Sequence, residues 1–330
     1  MDDLKYVFAH LRPYRRQVAA AVGLVFVECI FEMSIPMLMT GLVDVGVANR
    51  DVPYMLSQGG KMVLCALLAL ITGLLYARYA ARAAYGFGAE LRLAEYRKVQ
   101  SFAFSNLDRF STSSLVTRMT TDVTVMQNAI TGGLRPLVRS PVMLFMGVGM
   151  SFLLNPGLSL VFFVAAPVLG IIMAFLVTRI GPLYVRQQTA VDHLNGRIQE
   201  SLTAIRAIKA FVRGEHEDEA FDAVNKELTD TSVDTFRHAA LNQPAFQVVM
   251  YTAVVCIMWF GGRMILVGGM TVGELTAFLS YVLQVMNSVM MISNVFLLLT
   301  RSLASAHRIR EVLEERPALT EPEAPVTTVP

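Results

Sequence analysis

The chain has 330 residues, of which 54% are hydrophobic and only 16% charged, with a formal net charge of +2. Soluble domains carry about 25% charged residues, so the composition points to a membrane protein, and so small a net charge gives no case for nucleic-acid binding. Cys29, Cys65 and Cys256 all fall inside apolar runs and no Cys/His spacing matches a zinc motif, so they read as small core residues rather than a disulfide framework or a metal site.

Residues 1–17 contain LKYVFAHLRPYRR, a mix of apolar and basic residues that suits a short helix lying at the membrane interface. The apolar run that follows is too long for a signal peptide and has no clear cleavage site. Six runs are long enough to cross a hydrocarbon core of about 30 Å: 18–42, 60–84, 134–154, 157–178, 245–268 and 275–299. The third and fourth meet at Leu154-Asn155-Pro156-Gly157, a tight turn signal. The expected fold is therefore all-α and polytopic. Apart from Arg50, Lys61 and Arg263, every Lys and Arg lies before run 1, between runs 2 and 3, between runs 4 and 5, after run 6, or at the adjoining run ends. Basic residues stay on the cytoplasmic side, which predicts that both termini are cytoplasmic.

The outer connections are short, whereas the inner ones, 85–133 and 179–244, are long and not rich in Pro or Gly. Leu194, Ile198, Leu202, Ile205 and Ile208 recur at helical spacing, so these connections read as helices continuing out of the spans. An extension of about 25 residues adds roughly 37 Å. Each inner connection turns back at a tip that combines charge with an aromatic residue, near 108–119 and near 211–221. Such a tip is either a solvated turn or a docking surface, and apolar residues exposed there favour docking.

Polar residues inside the spans mark candidate lining. Glu28 and Glu32 share one face of span 1 with Pro36, and charges in a bilayer face a cavity or a partner. They read either as cavity residues favouring cationic amphiphiles, or as groups paired or protonated within the bundle. Gln243, Gln247 and Tyr251 form a row on span 5, and Gln284, Asn287, Met291 and Asn294 a stripe on span 6. Either row is explained by interhelical hydrogen bonding or by a substrate cavity.

The segments DRFSTSSLVTRMTTDVTVMQ, LRPLVRSP, LNGRIQESLTAIRAIKAFVRGEHEDEAF, FGGRMILVGGMTVGELTAFLSYV and ASAHRIREVLEERP occur in this order. In these segments the chain resembles the transmembrane domain of an ABC exporter, of the type IV fold and the bacterial multidrug half-transporter kind. The resemblance covers essentially the whole chain. It implies a domain-swapped dimer in the bacterial plasma membrane, with a second half-transporter (a heterodimer before a homodimer) and nucleotide-binding domains as partners. It also implies alternating access for small amphipathic drugs, with membrane lipid around the pathway. The two tips become coupling helices, formed by Phe110, Ser111, Leu115 and Arg118 in the first and by Phe211, Arg213, Glu215 and His216 in the second. A lipid flippase or a metal-chelate importer shares the fold. An ATPase-independent channel or secondary transporter is the rival of a different class, and it would not need docking tips.

No GxxxxGK[ST] occurs: Gly60-Lys61 has Met55 at the first Gly position and Met62 after it. No residue here cradles a nucleotide phosphate by the P-loop mechanism, so no catalytic ATPase residue is assigned and ATP and Mg²⁺ are expected on a nucleotide-binding domain outside this chain. The expected organisation is an elbow helix at 1–17, a six-helix transmembrane domain at 18–316, and a Pro-rich linker at 317–330. That ending suggests a truncated chain more than a separate ATPase polypeptide.

Overall fold

The computed structural model describes residues 2–319. Every regular element among them is helical. In chain order these are α1 (Asp2–Phe8), α2 (Arg15–Gly41), α3 (Val52–Gln100), α4 (Phe104–Arg109), α5 (Thr112–Thr117) and α6 (Val123–Leu154). They continue as α7 (Pro156–Thr203), α8 (Ile205–Ala210), α9 (Gly214–Ala240), α10 (Asn242–Leu266) and α11 (Val272–Glu314). Six helical stretches are long and apolar enough to cross a membrane. Lipid cannot hydrogen-bond the backbone, so spanning segments satisfy it internally, and helices do so residue by residue.

The breaks between helices have local causes. The N-terminal helix α1 ends at Phe8, short of the 1–17 expected for the elbow. The chain then tightens into a 3₁₀ turn at Ala9–Tyr14, where Pro13 removes a donor. Asp51 caps α3 by accepting from the Tyr54 amide at 3.1 Å. Gly268, at φ 75°, ends α10 in the left-handed region, and the Gly269 amide donates back to the Met264 carbonyl. Thr271 and Glu274 form a reciprocal capping box at the start of α11. Pro36, Pro136 and Pro141 remain inside helices.

The chain divides into two compact units, one of residues 1–157 with 261–330 and one of residues 158–260. In the first, α2, α3, α6 and α11 pack around two buried clusters. One joins Val25, Cys29, Met33, Tyr76, Met143 and Tyr281. The other joins Val7, Phe87, Leu91, Met126, Ala306 and Ile309, and so fastens α1 to the far end of α11. In the second unit, α9 runs back along α7. Thr235 donates to the Leu183 carbonyl and Gln187 to Ser232, while Arg197 and Ser201 both hold Glu217.

Asp44 follows α2 in a π-helical turn (Leu42–Val47) and accepts from the Gly273 amide at 2.8 Å and from the Thr271 hydroxyl. It thus holds the N-terminus of α11, where a carboxylate also complements the helix dipole. A Cβ at Gly273 would stand 2.6 Å from Asp44 Oδ2 and 2.7 Å from the Thr40 carbonyl oxygen. Gly273→Ala should therefore destabilise the first unit by about 1–3 kcal/mol. A thermal melt of the detergent-solubilised protein reads this, and an unchanged midpoint would contradict so close an approach.

Candidate functional site

Three places gather the polar residues singled out by the sequence. The first lies between α2, α3 and α6. Glu28 and Glu32 sit one turn apart on α2, and Arg135 and Arg139 one turn apart on α6. Arg139 donates to Glu28 at 3.1 Å and clasps Glu32 with both terminal nitrogens, at 3.1 and 2.6 Å. Arg135 donates to Glu28 and lies over the Tyr76 ring, 5.7 Å from its centre. Both carboxylates and Arg135 line an open pocket of about 570 Å³ whose other walls are apolar, including Ile35, Leu70 and Gly73. The two acids thus face a pocket and also pair within the bundle, each held by arginine, with formal charges that balance. The reason is the cost of an unpaired charge in apolar surroundings.

The span 5 row lies on the second unit. Gln243, Gln247 and Tyr251 are exposed, and the last two border an open depression along α10. The span 6 stripe lies on α11 in the first unit. Gln284 is half-buried with an unpartnered side-chain oxygen, Asn287 is exposed and Met291 half-buried. The side chain of Asn294 lies outside the described residues, as do residues 320–330 of the expected linker.

The second place is the first tip, formed by α4 and α5. Ser111 caps α5, accepting from the Ser114 amide at 3.3 Å. Phe110 and Leu115 do not face outward as expected of docking residues. They are buried against Val312 of α11, with Phe110 stacked on Phe102. Arg118 is buried too: it caps the Phe110 ring at 5.0 Å, pairs with Glu311 at 2.8 Å and donates to the Arg308 carbonyl. Burying an aromatic ring in a short hairpin releases more water-exposed apolar surface than pointing it at solvent, and the end of α11 supplies the wall. What the first tip presents instead is Phe104, 87% exposed, and Val116, 56% exposed.

The third place is the second tip, at the turn between α8 and α9. Phe211 and Val212 are 78% and 87% exposed, and Arg213, Glu215 and His216 are exposed beside them. Val212 has φ 54°, a conformation a β-branched residue adopts only under strain.

Behind the first tip runs a buried polar seam. Asp122 takes two donors from Arg308 and one from the Ser305 hydroxyl at 2.9 Å. Glu95 of α3 is completely buried beside it, and among the described residues neither of its carboxylate oxygens has a hydrogen-bond partner. It lies eleven residues, about 16 Å of helix, beyond the apolar run ending at 84. Burial, then the neighbouring Asp122 carboxylate, push its pKa up to about 8, against smaller opposing pulls from Arg118 and Arg92. The arginine partners of Glu28 and Glu32, and the burial of Glu95, were not read from the sequence. The matched one-turn spacing in Glu28/Glu32 and Arg135/Arg139 was the available signal for the first.

Comparison with known proteins supplies the context. The family model for the ABC transporter transmembrane region matches residues 18–289. An uncharacterized ABC transporter ATP-binding protein, YfiB, from Bacillus subtilis is 31% identical over 94% of this chain and 54% of its own length. The multidrug resistance-like ATP-binding protein MdlA of Escherichia coli is 28% identical over 96% of this chain and 54% of its own. An ATP-dependent lipid A-core flippase of Desulfotalea psychrophila is 24% identical over 98% of this chain and 57% of its own. The chain thus spans about half the length of these relatives.

Proposed function

Since the chain belongs to the family of ABC transporter transmembrane regions, we propose that it is the membrane half of an ATP-driven exporter of amphipathic compounds, working by alternating access. It pairs with a second such half, with helices exchanged between them, in the bacterial plasma membrane. Both termini lie in the cytoplasm, where nucleotide-binding domains supply the ATP and Mg²⁺ chemistry. The observation that carries this reading is the pair of hairpin tips with large apolar side chains held in the open, Phe104 and Val116 on one and Phe211 and Val212 on the other. Solvated turns have no use for such residues, whereas a groove on a partner domain does. Arg213, Glu215 and His216 would contribute the polar rim, with Ser111 at the first tip.

Closure of the ATPase domains can shift the transmembrane equilibrium only by differential contact with the two states, so docking residues set coupling rather than folding. Phe211→Ser combined with Arg213→Glu in the full-length transporter should lower ATP-driven efflux from proteoliposomes about tenfold while ATP hydrolysis persists. Wild-type efflux in that variant would overturn the docking assignment.

On this reading the substrate-lining residues of the first unit are Glu28 and Glu32 with Gln284, Asn287, Met291 and Asn294 of α11, and those of the second unit, taken by itself, are Gln243, Gln247 and Tyr251. A lipid flippase is the second reading. The charge balance at Glu28, Glu32, Arg135 and Arg139 favours it, because a neutral polar cluster does not select cations. Transport of a fluorescent lipid against that of a cationic dye in the same vesicles separates the two.

A further inference from the structure

The two tips differ in what stands behind them. The first is tied to the segment leaving α11, and one side chain makes the tie. Asn106 in α4 is buried and all its hydrogen-bonding capacity points at main chain or at Glu315. Its Oδ1 accepts from the Ala103 amide at 3.2 Å and from the Ala318 amide at 2.8 Å. Its Nδ2 donates to the Arg316 carbonyl at 2.9 Å and to Glu315 Oε1 at 3.0 Å. One amide therefore stitches the entry of the tip hairpin to three of the four residues after α11. Arg109 reinforces it from outside, bonding Glu315 Oε2 at 2.7 Å, and Phe110, Leu115 and Val312 form its apolar floor. A buried amide with four satisfied bonds, three of them to a segment more than 200 positions away, is costly to open, because each group would be stranded without water.

We propose that Asn106 is a positioning residue that makes the first tip and the end of α11 one rigid joint. The coupling role of the tips in the proposed function is the premise. In that frame the first tip receives two inputs, the partner surface on Phe104 and Val116 and the direction of the chain after Ala318, and the joint keeps them in register through the whole cycle. The second tip has no such tie among the described residues; its Phe211 and Val212 stand on a bare turn.

Three variants of the full-length transporter in proteoliposomes test this. In a background without Cys29, Cys65 and Cys256, Ala103→Cys with Ala318→Cys places a thiol on either side of Asn106. Oxidation should leave efflux and ATP hydrolysis within about twofold of the reduced protein, whereas Asn106→Ala should cut efflux about tenfold with hydrolysis retained. Glu315→Gln, which keeps an acceptor for Asn106 but loses the Arg109 ion pair, should lower efflux less than Asn106→Ala does. Loss of efflux on oxidation, restored by reductant, would show that the joint opens in each turnover and would overturn the proposal, as would normal efflux from Asn106→Ala. Hydrogen exchange at the Ala103 and Ala318 amides reads the joint without transport, and it should rise about tenfold in Asn106→Ala. If wild-type protein shows no ATP-driven efflux, the exporter reading falls, and the exchange rates alone decide whether the joint exists.

Discussion

Arg139→Met should destabilise the transmembrane bundle by about 3 kcal/mol, near the low end of the range for breaking a buried ion pair. The low end applies because Arg139 and Glu32 keep 23% and 29% of their side-chain surface exposed. The loss is not the strength of two hydrogen bonds. It is the cost of leaving Glu32 without a counter-ion and Glu28 with Arg135 alone, in a segment built for lipid. Adding Glu32→Gln to Arg139→Met removes the stranded charge, so the double variant should be more stable than Arg139→Met alone. The interaction energy from the double-mutant cycle measures the pair, and thermal inactivation in lipid nanodiscs supplies the four stabilities. Strictly additive losses would mean that the two side chains do not pair in the membrane.

That cluster also shows what a sequence discloses and what it withholds. Acidic residues within an apolar run announce a cost, so Glu28 and Glu32 were legible as residues needing an explanation. Pairing within the bundle was one of two readings, but the partners were not legible, because they depend on which helix lies beside α2. Arg135 and Arg139 sit at the edge of another apolar run, where basic residues are expected anyway, and only their shared one-turn spacing hints at the match. Helices themselves were legible for a physical reason: lipid leaves the backbone no other partner, so length and apolarity suffice. The tips mark the opposite limit. Phe110 and Phe211 look alike in sequence, each within two positions of an arginine at a turn. Phe110 is buried because the end of α11 returns to it from about two hundred positions away, while Phe211 is left 78% exposed among the described residues. The faces of short helices are decided by such long-range neighbours, and no local periodicity records them.

Glu95 should make the protein more stable as pH falls from 8 towards 5, the reverse of what paired carboxylates do. Its folded pKa, near 8, lies above the ordinary carboxylate range, so between the two values the folded state holds a proton that the unfolded state has released. Stability changes with pH in proportion to the protons bound unfolded minus those bound folded. That difference is negative here, so the contribution is fully present below the unfolded pKa and is lost as pH rises through 8. Asp122 faces Glu95 as a second negative charge, already held by Arg308 and Ser305, and Arg118 and Arg92 offset it only in part. Glu95→Gln removes the ionisation and keeps the shape, so it should flatten this slope and add a few kcal/mol at pH 8.5, where each unit of displaced pKa counts for about 1.4 kcal/mol. At pH 5 the variant and the wild type should melt together. Urea unfolding followed at both pH values makes the comparison. A wild-type curve that falls towards acid, with Glu95→Gln parallel to it, would mean that Glu95 is ionised in the folded chain and has found a cation that the buried seam does not provide.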